Sequence, residues 1–122
     1  MRKTAMIAAM LVFFGVTTAG ASDVATYLAK MDVVRSKGVT AMFSSDYHDL
    51  TAELRQAVAA LKKERLAMVR SGRVPAYCPS VGASLSALEV MTALRAIPPE
   101  ARSRTSVKDA LRAGFARRYP CR

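Results

Sequence analysis

Apolar residues in this chain recur at spacings of three and four, and nowhere alternate strictly with polar ones over a strand's length. The first pattern places them on one face of a helix; the second would have placed them on one face of a sheet. The expected fold class is therefore all-α, a small bundle of about four helices. Residues 22–37 give the first, with Val24, Tyr27, Leu28, Met31 and Val34 on one face, Ser22 or Asp23 as cap and Gly38 as stop. Residues 39–45 read as a short joint whose Met42 and Phe43 should pack inward. Asp46 then stands where an N-cap belongs, opening the longest helix, which runs to about Ser71. Its stripe is Tyr47, Leu50, Leu54, Val58, Leu61 and Met68, with Arg65 filling one step.

Punctuation divides the rest. Residues 72–85 carry two prolines, two glycines and Cys78, which excludes a helix. Ser86 with Glu89 three residues on forms a capping box, and Leu85 with Val90 a hydrophobic staple. That helix should stop near Ala96, because the residue before proline is pushed out of the helical region at Ile97-Pro98-Pro99. Residues 98–105 read as a linker with room for one helical turn. Ser106 caps the last helix, with Asp109 in its first turn and Val107, Leu111, Gly114, Phe115 and Arg118 following the repeat.

Residues 1–21 belong to a different grammar. Arg2 and Lys3 precede an uncharged apolar run at 5–16, and Ala19-Gly20-Ala21 supplies small residues where a signal peptidase inspects the chain. The run is shorter than the roughly 20 residues a membrane span needs. The expected organisation is a signal peptide over 1–21 and one helical domain over 22–122, exported to the periplasm with no integral membrane segment. Cleavage removes two of the ten net positive charges and leaves +8.

Export changes the reading of Cys78 and Cys121. In an oxidising compartment two cysteines read as a disulfide. They are too far apart for a C-x-x-C redox pair, and with one histidine in the chain they make a poor zinc site. Closing a loop of about 44 residues is worth about 4 kcal/mol on the chain-entropy estimate. That is a large fraction of the roughly 5–15 kcal/mol typical of a domain.

Catalytic parts are scarce. His48, the only histidine, lies off the apolar stripe beside Asp46 and Asp49, which suit a helix N-terminus without any further role. There is no phosphate loop and no paired-carboxylate signature, so no catalytic residue, metal or cofactor is expected. Arg95, Arg102, Arg104, Lys108, Arg112, Arg117, Arg118 and Arg122 crowd the last quarter. Export argues against nucleic acid as their partner and leaves lipid headgroups, cell-wall carboxylates and acidic proteins.

Tyr77-Cys78-Pro79, a capped helix ending near Pro98, Ala110-Leu111 and the closing Tyr119-Pro120-Cys121 together resemble the Rap1a/Tai family of periplasmic immunity proteins. The resemblance covers about residues 77–121. It implies a small helical fold with a disulfide, often dimeric, that binds and blocks a peptidoglycan amidase delivered by a type VI secretion system. Cys78 and Cys121 carry over from the family pattern; effector contacts do not. From the residues themselves, loop 72–85 is the candidate protrusion, with Arg70 and Arg73 at its entry and Tyr77 either as contact or packed beside the disulfide. The competing expectation is an envelope protein that binds anionic wall or lipid through its basic C-terminal region, with no toxin partner.

Overall fold

Each α-helix in the computed structural model, which describes residues 22–83 and 85–122, begins at a residue whose extended backbone frees a side chain to cap it. The expected signal peptide lies outside the described residues. Helix α1, Val24–Ser36, starts at Asp23, whose carboxylate accepts from the Thr26 backbone N–H at 2.8 Å and from its hydroxyl at 3.1 Å. The bond from the Thr26 backbone is the main reason this carboxyl is held below its usual pKa. Val24, Tyr27 and Val34 form the buried face of α1, with Leu28 and Met31 packed at its margin.

The joint that follows is a 3-10 helix, Gly38–Phe43, entered through Gly38 at φ 62°. Here two expectations are corrected. Met42 and Phe43 do not pack inward; they are 63% and 87% exposed, and Ala41 is buried instead. With about three residues per turn, one position in three faces the core, and the register gives that place to Ala41. The cap of the next helix is Ser44, not Asp46: its hydroxyl accepts from the Tyr47 N–H at 3.2 Å. Asp46 falls within the first turn and pairs with Lys37 at 3.1 Å.

Helix α2, Ser45–Arg70, is about 39 Å long at 1.5 Å per residue. It buries Leu50 and Leu61 fully and Leu54, Ala57 and Val58 in part, while Tyr47 stays outside the stripe. Its end is a Schellman motif: Gly72 takes φ 74°, the Arg73 N–H reaches the Met68 carbonyl at 2.9 Å, and the Gly72 N–H reaches Val69 at 3.1 Å.

Helix α3, Ala87–Arg95, carries the full capping box: Glu89 N–H donates to Ser86 Oγ at 3.1 Å, and Ser86 N–H donates to Glu89 Oε2 at 2.9 Å. Arg102 closes its other end, donating from Nε to the Ile97 carbonyl at 2.9 Å and from Nη2 to the Arg95 carbonyl at 3.1 Å. The linker folds into a second 3-10 helix, Pro99–Arg104. Helix α4, Val107–Arg118, is capped by Ser106 and touches α1, α2 and α3, so its Val107, Ala110, Leu111 and Phe115 are all buried. Against α3 the approach is set by Gly114, where any Cβ would collide with Ala93.

The described residues contain no strand. A single antiparallel bridge, Asp23 to Ser106, joins the start of α1 to the start of α4, flanked by Val24 N–H to the Thr105 carbonyl at 2.8 Å and Val107 N–H to the Ser22 carbonyl at 3.2 Å. Cys78 and Cys121 form the disulfide, with Cα atoms 4.9 Å apart. No described helix is long and apolar enough to cross a membrane.

Candidate functional site

Beside the disulfide, α2, α4 and the proline-rich loop leave an open groove of about 440 Å³. The loop is anchored at Cys78, by two bonds to the end of the chain. Cys78 is bonded to Cys121, and the Cys78 N–H donates to the Tyr119 carbonyl at 2.7 Å. Residues Pro79–Ala83 and Leu85 then form one wall, and Val58, Lys62 and Arg65, at spacings of four and three on α2, form the other. The floor is Tyr77 against Phe115, ring centroids 5.2 Å apart.

Arg65 is the unusual member. Its guanidinium lies 5.8 Å from the Tyr77 ring centroid, a cation–π distance. Its Nε is buried and has no hydrogen-bond partner among the described residues. A buried donor without an acceptor costs about 1–3 kcal/mol. Val81 stands fully exposed on the rim and gives the approach to the groove an apolar side chain. A second hollow of about 350 Å³ between α3 and α4 shares Phe115 and Tyr119 with the first. Glu89 at its edge accepts from the Tyr119 hydroxyl at 3.3 Å and from Arg118 at 3.4 Å.

The residues expected to meet a partner are divided by the fold. Arg70 and Arg73 are exposed at the end of α2, where Arg73 donates to the Ser71 hydroxyl at 3.1 Å. Tyr77 is 7% exposed: of its two readings, contact at the loop tip or packing beside the disulfide, the ring takes the second and forms floor against Phe115. Lys62, Arg65, Phe115 and Tyr119 were not singled out as site residues. The one signal was Arg65 itself, a charged residue occupying a step of an otherwise apolar stripe.

The basic C-terminal quarter is not one open field. Lys108 and Arg112 both bind Glu64, at 2.7 and 2.8 Å, and Arg112 also pairs with Asp109. Arg118 pairs with Glu89 and Arg102 holds carbonyls. Among the described residues Arg95, Arg104, Arg117 and Arg122 make no ion pair. His48 is exposed and stands edge-on to Tyr47 at 5.7 Å, while Asp46 is engaged by Lys37. No group of three or more His, Cys, Asp or Glu side chains gathers among the described residues.

Fold and site together define a disulfide-closed helical domain with a grooved, partly basic face. No family model, no curated protein and no solved structure matches the chain.

Proposed function

We propose that this chain is exported, cleaved after Ala21, and acts in the periplasm as a non-catalytic binding protein of the immunity type, blocking a peptidoglycan amidase. The observation that carries the reading is the groove at Tyr77 and Phe115, beside the loop that the disulfide anchors, with Arg65 on its wall. A loop fixed in advance loses less entropy on binding, about 0.5–1.5 kcal/mol for each side chain already ordered. Apolar rim residues supply area, and Lys62, Arg70 and Arg73 steer toward an acidic partner. The Rap1a/Tai-like pattern of residues 77–121 supports the choice of an amidase as partner and of a homodimer as the acting form.

The test is inhibition. Purified peptidoglycan amidases of the secreted-effector kind are assayed on cell-wall sacculi with and without stoichiometric protein. Inhibition that is lost in Val81→Glu and weakened in Arg73→Glu, with Tm unchanged, supports the reading; no inhibition and no complex with any such amidase sinks it. A second reading, an envelope protein that binds anionic wall or lipid, is favoured by Arg95, Arg104, Arg117 and Arg122 lacking ion pairs among the described residues. It requires binding to anionic vesicles or wall fragments that falls steeply with salt, whereas a packed protein interface largely survives it.

A further inference from the structure

Ser22 and Glu53 meet although 31 positions separate them. The Ser22 backbone nitrogen donates to Glu53 Oε1 at 2.6 Å and the Ser22 hydroxyl donates to Oε2 at 3.1 Å, so both carboxylate oxygens turn to one residue. Ser22 is fixed there from the other side, since its carbonyl accepts from Val107 N–H at 3.2 Å and the next residue bridges Ser106. Glu53 is half-buried and, among the described residues, pairs with no Lys, Arg or His. Its charge also lies close enough to Tyr27 to add to the burial that pushes that phenol up to about 12. A partly desolvated carboxylate with no cation is an unfavourable arrangement, and its two oxygens already converge on a nitrogen.

We infer that Glu53 is the receptor for the α-ammonium that forms at Ser22 when the chain is processed, so that cleavage completes an ion pair inside the fold. The inference rests on the cleavage proposed above. Hydrolysis of the Ala21–Ser22 amide sends the water oxygen to the departing Ala21 carboxylate and both its protons to the Ser22 nitrogen. A neutral N–H with one donor becomes –NH₃⁺ with three, at the place where Glu53 waits. The bond to Glu53 changes from an amide–carboxylate contact to a doubly charged one, the stronger class. Processing then makes the domain more stable than the same residues within the precursor, and ties α1 to α2 at the step where the leader departs.

The experiment compares two exported proteins, each with and without Glu53→Gln. One carries the natural sequence. The other has a threonine inserted between Ala21 and Ser22, which leaves Ala-Gly-Ala intact and moves the ammonium one residue away. Intact mass fixes each terminus, and thermal melts give the effect of the substitution. In the protein that begins at Ser22, Glu53→Gln lowers Tm by about 4 °C or more; in the extended protein the loss falls to less than half of that. Equal losses in the two, with the termini as designed, overturn the inference and leave the cleavage reading standing. A natural product that does not begin at Ser22 overturns both.

Discussion

Gly114 shows how much one missing methyl decides. Its α-carbon lies against Ala93 of the neighbouring helix, and a Cβ built there would overlap the Ala93 Cβ. Alanine is otherwise the better helix former by about 1 kcal/mol, so the sign of Gly114→Ala is a contest between propensity and overpacking. The overlap is with a short side chain on a helix backbone that cannot rotate away. Overpacking at about 1–3 kcal/mol should win. Denaturant titration is expected to show Gly114→Ala destabilised, with Ala93→Gly added to it costing less than its effect alone. Tyr27 gives a second test at this scale. Its phenol is buried, donates to the Leu50 carbonyl at 3.1 Å, and is pushed up to about 12. Because the folded pKa lies above the unfolded value of about 10, its contribution is complete below pH 10 and drains away as pH rises through about 12. Tyr27→Phe should flatten that alkaline loss in melts taken across the same range.

At the scale of elements, Glu64 joins α2 to α4 by receiving Lys108 and Arg112 together. The hydrogen bond from Lys108, then that from Arg112, holds its carboxyl below the usual glutamate range. A depressed pKa stabilises above the unfolded value of about 4.3, and that contribution disappears as pH falls through the lower, folded value. Glu64→Gln should therefore lower Tm at pH 7 and make Tm less sensitive to acid below pH 5. Helix limits were legible wherever one residue both caps and breaks a pattern. Ser86 with Glu89, Ser106, Gly72 and Ile97-Pro98 all act through local geometry, which a sequence displays. Ser44 and Asp46 are equally good caps by type, and only the preceding 3-10 turn, which fixes the extended backbone at Ser44, chooses between them. That turn was not legible, since six residues with a three-residue period leave Ala41 as the sole apolar side chain facing inward.

For the molecule as a whole, the disulfide pairing was readable from the count of cysteines, but the groove beside it was not. A groove is the space three segments fail to fill, and nothing local in Val58, Pro79 or Phe115 announces it. Tyr77 illustrates the difficulty: a tyrosine in a proline-rich loop reads as a contact or as packing beside the disulfide, and neither reading names Phe115 as the ring it meets. Removing the staple should be costly. Cys78→Ser with Cys121→Ser is expected to lower stability by about 2–5 kcal/mol, measured by urea titration, and to loosen the loop enough that any groove ligand binds more weakly.

The same bond makes the chain a ring with a tail. Helices α3 and α4 lie between Cys78 and Cys121, while α1 and α2 lie outside. If the domain is pulled by its ends, from residue 22 to residue 122, force passes along α1 and α2, crosses the bridge at Cys78, and leaves through Arg122 without entering the ring. At roughly 3.5 Å per extended residue, the oxidised chain can pay out only about 200 Å, against about 350 Å once reduced. Under tension the domain would thus yield its first half and keep its second half as a closed loop of chain, with the lengths in a single-molecule extension trace reporting which covalent state was pulled.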